Sequence, residues 1–504
     1  MSQFKTAPGI WAQLQVSADP FIKKAERAAS LTLPNLMIPE GTTGWDDLVH
    51  DWQSIGAQGV KHILNKYMLA MFAPSRPFFR LGMDKKAMAA MGQMLKETDL
   101  GGALGVVERE AVKILDKSGQ RPKIARGMAL IIVTGQVLMH LTEDAVRFQS
   151  LKYWRVKRDI HGKVKRLVIK ETILFDELDA EVQAVVARQY SPESKVDYYR
   201  WIERTPNGKQ YEESQWVNQT RLPQQFDSLY GVDDIPYHVV TWDLPDESDY
   251  SPGLIEENFG DLEAISALSR AEIEGGIQAC ETRWLVNAGG GTSVEDFTGS
   301  VNGQALAGQK EDLTPVTGGN PQGVAEVRQS AERVEQRLAR VFLLGSAVTR
   351  DAERVTAEEM RQQAMELQVA HGGTYSTLAP SLQSPIAKWL LNKVDKQILK
   401  TQFDFTIVTG LDALSRGADL ESFRLAMGDV AQFHTLPPEL VARTKWDAVY
   451  AFVGEGRGVD LKPFLMTDAE FQQAQSQQQT SRVVEASATA AGEAAGAAQG
   501  APSA

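Results

Sequence analysis

Two kinds of chemistry can be tested against this sequence: bond making, which needs clustered acids, bases or nucleophiles, and ionic binding, which needs clustered charge. For bond making the material is thin. The seven histidines stand at positions 50, 62, 140, 161, 238, 371 and 434, without the spacing that sets two on one helix face to share a metal. Asp46-Asp47 and Asp233-Asp234 are adjacent carboxylates on loop-like sequence, and adjacency alone does not build a two-metal nuclease centre. There is no Gly-x-Ser-x-Gly elbow, no Walker loop and, with a single cysteine, no redox pair. The expectation is a chain that is not an enzyme and uses no metal and no cofactor.

Charge gathers at two places. Lys152, Arg155, Lys157, Arg158, Lys163, Lys165, Arg166 and Lys170 fall on a predicted β-hairpin and alternate in part with aromatic and aliphatic residues. Such a string can hold phosphates. A solvated or subunit-facing strand gives the same string, and that reading is preferred because no nucleic-acid motif surrounds it. The second group is Arg350, Asp351, Glu353 and Arg354, inside the break Gly345 to Val355.

The elements that must position this second group are two helices. Val324, Val327, Ala331, Val334, Leu338 and Val341 recur at steps of three and four, one dry stripe on a helix otherwise covered by Glu and Arg. After the break, Thr356 with Glu359 three residues on reads as a capping box opening a second helical segment, 356 to about 399. Gly372-Gly373, Pro380 and Pro385 require that segment to kink or break. So a charged loop of about ten residues sits between two helices, anchored at both ends. By pattern alone, an ordinary helical hairpin in a globular core accounts for it.

The stretch Glu353-Arg-Val-Thr-Ala-Glu-Glu-Met-Arg361, with Glu366-Leu, His371-Gly-Gly-Thr-Tyr-Ser376 and Pro380 to Leu391, resembles the portal proteins, the head-to-tail connectors of short-tailed bacteriophages. Ser54 to Val60 with Leu69 to Pro74, and Gly260-Asp-Leu-Glu-Ala-Ile-Ser-Ala-Leu268, are similar to the same family. Here Ala73 stands between Phe72 and Pro74, where the family is expected to have them adjacent, so a different turn is expected.

The resemblance implies an α+β, mainly α, portal fold. Its parts would be an N-terminal wing at 1–250, a first stem helix at 251–284, a clip at 285–322, a second stem helix at 323–344 and a tunnel loop at 345–355. A kinked long helix and C-terminal wing at 356–465 and a crown with a mobile Gln/Ala/Gly-rich tail at 466–504 would follow. Stem packing falls to Leu262, Ile265, Leu268, Val327, Val334 and Leu338, and the clip carries Gly289, Gly290, Gly291, Gly318 and Gly319. The implied role is a ring of about twelve copies at one capsid vertex, a sequence-independent channel for double-stranded DNA during packaging and ejection. Implied partners are the terminase large subunit, tail adaptor and tail proteins, and the major capsid and scaffolding proteins. A DNA-processing nuclease and a non-viral helical scaffold are the competing readings.

The rest of the chain bounds these options. At 504 residues it can bury a large core and divide into domains. With 53 Lys plus Arg against 65 Asp plus Glu it does not coat nucleic acid by bulk charge. Cys280 excludes an intramolecular disulfide and is expected as a small buried helix residue. No leader pattern and no apolar run of the ~18 residues that a span needs are evident, so a soluble chain, cytosolic at synthesis, is expected.

Residues 1 to about 150 are expected to be mainly helical, with Ile55, Val60, Ile63, Leu64, Tyr67, Met68 and Met71 on one core-facing helix between Trp52 and Phe72. Ala129 to Leu141 is expected to be buried on all sides. Hairpins are predicted to turn at Asp159-Ile-His-Gly162 and at Pro206-Asn207-Gly208. Ser251-Pro252 is expected to cap a helix running from Leu254 to about Trp284, followed by short strands at 301–306 and 313–316. A strand at 403–408 and helices at 411–430 and 439–452 are predicted after it.

Overall fold

The computed structural model describes residues 6–42, 46, 48, 51–74, 77–83, 97–186, 190–317, 321–344, 365–371, 373–394, 405–409, 427–431 and 445–457. The chain divides into two compact units, Met1–Ala413 and Leu414–Ala504. In the second, Val430 and Val453 are buried with Val449 and Tyr450 against them.

The first unit opens with helix α1 (Ala7–Ser30), whose N-cap Thr6 accepts the Gly9 amide at 3.3 Å with a proline in the first turn. Helix α2 (Ile55–Met71), strand β1 (Phe79–Met83) and helices α3 (Glu97–Lys117) and α4 (Arg121–Thr134) follow, with α2 packed on α4. Gly135, at φ +81°, ends α4 and starts β2 (Gln136–Leu141). A Cβ there would lie 2.3 Å from the Ser251 carbonyl oxygen, so only glycine lets the chain turn in this space. The apolar run 129–141 is therefore the end of a helix and a strand, almost wholly buried.

Strands β3 (Val146–Gln149), β4 (Trp154–Arg158) and β5 (Val164–Leu174) come next, then helix α5 (Ala180–Val186). The strands β6 (Lys195–Arg204), β7 (Gln210–Val217), β8 (Thr220–Arg221), β9 (Ser228–Gly231) and β10 (Tyr237–Thr241) complete this region. They form a three-stranded antiparallel sheet ordered β10-β2-β3 and a six-stranded one ordered β4-β5-β6-β7-β8, with β9 also on β7. The two predicted hairpins are present, and Gly162 and Gly208 supply the left-handed turn residues at φ +73° and +71°. Successive residues face opposite sides of the larger sheet. Val168, Tyr199 and Trp216 accordingly pack on Ile10 and Leu14 of α1, while Tyr198, Val196 and Val217 pack on Phe175, Val182 and Val186.

The basic hairpin is largely spent inside the molecule. Lys157 pairs with Asp249 at 2.8 Å, Lys170 with Asp197 at 2.9 Å and Arg166 with Glu203 at 2.5 Å. Lys152 reaches Glu26 at 3.3 Å, and Arg158 donates to the Asp249 and Gly162 carbonyls. Arg155 is buried, donates to Gln15 and lies 4.2 Å from the Trp11 ring centre. Lys163 and Lys165 remain exposed. The solvated face of the hairpin is thus Lys157, Lys163 and Lys165, and most of its other cations are paired within the chain.

Beyond the sheets come α6 (Leu254–Glu257), α7 (Phe259–Cys280), β11 (Thr282–Val286), α8 (Val294–Gly299), β12 (Leu313–Thr317) and α9 (Pro321–Val341). Then α10 (Thr374–Leu378) follows Gly373, at φ +94°, and a π turn at Ala379–Gln383 carries Pro380 into α11 (Ser384–Val394). Strand β13 (Phe405–Thr409) pairs with β1, and α12 (Trp446–Arg457) lies in the second unit.

Four expectations are corrected here. Gly253, not Ser251, is the N-cap of α6; the Ser251 hydroxyl instead donates to the Asp243 carbonyl at 2.7 Å. The helix stops at Cys280, because Trp284 belongs to β11, which pairs with β12. Residues 301–306 are not a strand; the partner of 313–317 is Thr282–Val286. Cys280 is exposed, since it sits on the outer end of α7 where no second layer covers it among the described residues.

Burial makes stability depend on pH. His140, stacked 4.5 Å from the Tyr237 ring and facing the charges of Arg200 and Arg147, has its pKa pulled down to about 3, chiefly by desolvation; His238 falls to about 4 for the same first reason. The unfolded chain then binds more protons than the folded one below about pH 6.5, so stability is full above that value and falls as pH drops toward 4. Melting temperature measured from pH 7 to pH 5 is expected to decrease, and His140→Phe, which keeps the ring stack, to flatten the decrease.

Candidate functional site

The helices α7 and α9 pack against each other, and two contacts fix their sense. Arg337 grips Asp261 with two bonds, 2.6 and 3.1 Å, near the start of α7, and a Cβ on Gly275 would lie 3.0 Å from Val324 toward its end. As residue numbers rise on one helix they fall on the other, so the pair is antiparallel and β11-β12 closes its outer end. The guanidinium holds the Asp261 carboxyl below its ordinary range. At 1.5 Å per residue the 22-residue α7 is ~33 Å long.

The seam is dry only at its base. Leu262, Ile265, Ala331, Val334 and Leu338 are buried, whereas Leu268 and Val327 are half-buried. Farther out, Ile273 and Ile277 are 47% and 58% exposed, and Trp284 and Leu285 on β11 are 47% and 63% exposed. One two-helix layer cannot cover both of its own faces.

The closing loop is organised by Asp312, a buried acid. Its carboxylate accepts the amides of Gly291 at 2.9 Å and Thr292 at 3.2 Å and the Thr292 hydroxyl at 3.1 Å. A Cβ on Gly290 would stand 2.1 Å from the same carboxylate, which explains that glycine, whereas Gly289 and Gly291 face open space or an ordinary contact.

The inner end of α9 is fixed by one face of α2. Residues 59, 62 and 66 recur at the three-four spacing that lines up side chains, with Tyr67 beside them, eight residues after Gly59. Phe342, fully buried, fills the place of a side chain at Gly59, where a Cβ would come 2.3 Å from its ring. His62 Nε2 donates to the Leu343 carbonyl at 3.0 Å, and Leu343 itself adopts φ +53°. Lys66, 2% exposed, pairs with Glu366 at 2.9 Å across 300 residues.

Tyr67 lies 3.1 Å from His371 Nδ1. Burial drives the Tyr67 pKa far up, so the phenol keeps its proton and donates it to Nδ1. The imidazole proton is then on Nε2, which faces the Val341 carbonyl at 3.4 Å. Both imidazoles have lowered pKa values, with burial the leading cause and Lys66 adding to it. The chain therefore leaves α9 and returns at 366–371 to the same patch of α2.

The C-terminal carbonyls of α2 are also occupied. Tyr375 donates to Ala70 O at 3.3 Å and Gln383 to Met71 O at 2.7 Å, while Arg121 donates to Phe72 O and, at 3.0 Å, to Ala73 O. Ala73, between Phe72 and Pro74, is buried, and its carbonyl is held by this guanidinium.

Of the sequence-predicted site residues, Leu262, Ile265, Leu268, Val327, Val334 and Leu338 meet in one seam, and Gly289, Gly290 and Gly291 lie in the loop that Asp312 holds. Arg350, Asp351, Glu353, Arg354, Gly318 and Gly319 lie outside the described residues, as does the Thr356 capping box. Sequence reading missed Gly59, His62, Lys66, Phe342 and Glu366. A lysine among apolar positions of α2 was the available signal. Among the described residues no group of three His, Cys, Asp or Glu side chains is placed to hold a metal, and no helix is long and apolar enough to cross a membrane.

A family model described as bacteriophage head to tail connecting protein matches residues 4–465. The chain belongs to this family. Its members are structural, and this connector is a virion component at the head-tail junction. Similar relatives are the portal proteins of Pseudomonas phage phiKMV, 30% identical over 96% of this chain and 96% of that one, and of Enterobacteria phage SP6, 28% identical over 94% and 92%. The portal protein of Escherichia phage T7 is 27% identical over 94% of this chain and 90% of its own length. Among solved structures, the neck of a native gene transfer agent particle computed with C12 symmetry aligns over 79% of this chain and 89% of that one at 10% identity and a TM-score of 0.35, too slight a likeness to carry an argument.

The Gly59 notch makes a testable case. Phe342→Ala empties a buried site and is expected to destabilise the connector by about 3–5 kcal/mol. Gly59→Ala in the wild-type background forces Phe342 out, and Phe342→Ala is expected to relieve much of that cost, so the two losses in denaturant midpoint fall short of additive.

Proposed function

We propose that several copies of this connector close a ring in which α7 and α9 are the stem, β11 to β12 the clip and 345–355 the tunnel loop of a central DNA channel. The observation that carries this reading is the exposed pair Ile273 and Ile277, one turn apart on α7, with Leu285 exposed on the β11 strand that follows, and no second layer over them among the described residues. Covering such side chains contributes roughly 1.5–3 kcal/mol each, and a head-to-tail repeat of one chain is the simplest cover. The shared seat on α2 adds support, because it holds Phe342 and Leu343 and the residues Glu366 and His371, which flank the proposed tunnel loop on either side, against one helix.

In the channel, the chain's net charge of −12 disfavours sticking of DNA, while rings of Arg350 or Arg354 provide reversible, sequence-independent phosphate contacts. Arg354 is the better candidate because it lies within the stretch that resembles the family. The clip meets the packaging motor and later the tail, with capsid and scaffolding proteins around the ring, and ATP hydrolysis belongs to a separate terminase.

Solution mass and negative-stain imaging test the ring. Wild type is expected as rings of about a dozen copies with an axial hole. Ile273→Glu with Ile277→Glu is expected to shift the mass toward monomer at an unchanged melting temperature, because both positions are exposed in the single chain. A wild-type chain that stays monomeric across salt conditions and with scaffolding protein present overturns the reading. Arg354→Ala is expected to leave assembly intact and impair DNA packaging or retention; wild-type retention removes Arg354 from the mechanism.

A further inference from the structure

Side chains close the outer edges of β4 and β3. The Val156 amide donates to the Tyr250 hydroxyl at 3.3 Å, the Arg158 amide to Asp249 at 2.7 Å and the Val146 amide to Gln120 at 3.2 Å. The two-stranded hairpin β11-β12 is built differently. Asn287 N donates to Asp312 O at 2.9 Å, which makes these two a hydrogen-bonded pair, and steps of two along the register make Leu285 with Thr314 and Arg283 with Val316 the next ones. The amides of Thr282, Trp284 and Val286 therefore point out of the hairpin, and among the described residues none of them meets an acceptor. On β12 the residue opposite Trp284 is Pro315, whose nitrogen points outward by the same rule and carries no hydrogen. One edge of the hairpin is open to strand addition, and the other is blocked at its centre.

A ring repeats one contact head to tail, so a sheet continuing from copy to copy would set β11 of one against β12 of the next, where Pro315 withholds the central donor. Pairing β11 with β11 of a second copy is twofold and closes on itself, so it cannot repeat around a ring. The edge lies in the plane of the sheet, and a neighbouring copy laid over the face that carries Leu285 leaves it uncovered. The occupant is therefore a different protein. Residues 281–317 carry five acids against Arg283 and Lys310, a balance that draws a cationic segment. Trp284, 47% exposed, stands against the half-buried Phe297 with ring centres 5.4 Å apart, an apolar shelf beside the central open amide. We infer that β11 accepts an edge strand from a partner protein: an extended, proline-free segment of net positive charge with an apolar side chain in register with Trp284. The exclusion of a second copy rests on the ring proposed above, whereas the open edge and the blocked one do not.

Residue-resolved amide hydrogen exchange on the full-length protein, as single chain and as ring, tests this with a short peptide of alternating Lys and Val as the probe. Without peptide, Thr282, Trp284 and Val286 are expected to exchange freely, and Arg283 and Leu285 slowly. The peptide at about 1 mM is expected to slow the first three by about tenfold. A peptide of alternating Asp and Val, or one with Pro in place of each Val, is expected to leave them unchanged. Thr282→Pro with Val286→Pro removes two outward donors and no bond of the hairpin, so this variant is expected to melt as wild type, to form rings of wild-type mass and to bind no peptide. If it does not fold, Val286→Pro alone is expected to weaken peptide binding by about fivefold. Protection of residues 282, 284 and 286 in the wild-type ring without peptide gives the edge to a second copy and overturns the inference. So does exchange that the Lys peptide leaves unchanged, slowing that persists in the proline variant, or equal slowing by the Asp peptide. A wild-type chain that forms no ring counts against the channel reading alone, because the open edge and its peptide are also measured on the single chain.

Discussion

Parts of the first unit that are far apart in sequence are tied to the helix Ile55–Met71. A glycine, a histidine, a buried lysine and a tyrosine at spacings of three, four and one collect the end of α9, the start of the returning segment and, one turn on, the residues after Gly373. Burying Lys66 demands a partner, because an ammonium group taken from water without one is strongly unfavourable. The acid that answers it lies 300 residues away, so the pairing fixes the long-range path of the chain as well as its local packing.

The same economy shapes the outer part. A two-helix layer is dry where Leu262, Val334 and Leu338 meet the rest of the core and wet beyond it. There the structure relies on polar devices that need no core: the Arg337–Asp261 grip, the Arg270–Glu274 and Arg328–Glu332 pairs along the helices and the Asp312 cradle at the tip. Exposed pairs of this sort contribute little each. They keep single helices soluble and ordered while leaving the aliphatic stripe available.

How much of this could be read in the sequence depends on the range of the interaction. The stripe through Val334 and Leu338, the hairpin turns at Gly162 and Gly208 and the break at Gly373 are local, and their residue types announce them. The strand 282–286 was hidden because its sequence continues the pattern of the helix before it, and only pairing with 313–317 sets it apart. The seat on α2 was hidden for a related reason: Gly59 reads as a weak helix residue and Lys66 as a surface one until Phe342 and Glu366 arrive from the far end of the chain. Family resemblance pointed to the right stretches without saying what they touch.

Cys280 shows what such a layout makes available. It is the chain's single thiol, and it ends α7 at an exposed position beside the hairpin. A maleimide dye or spin label added to the unmodified protein would attach there and nowhere else, with no engineered cysteine to remove or introduce. Each copy in an assembly would then carry one reporter at the same height on the same helix, and the distances between labels would return the symmetry and radius of that layer directly from spectroscopy.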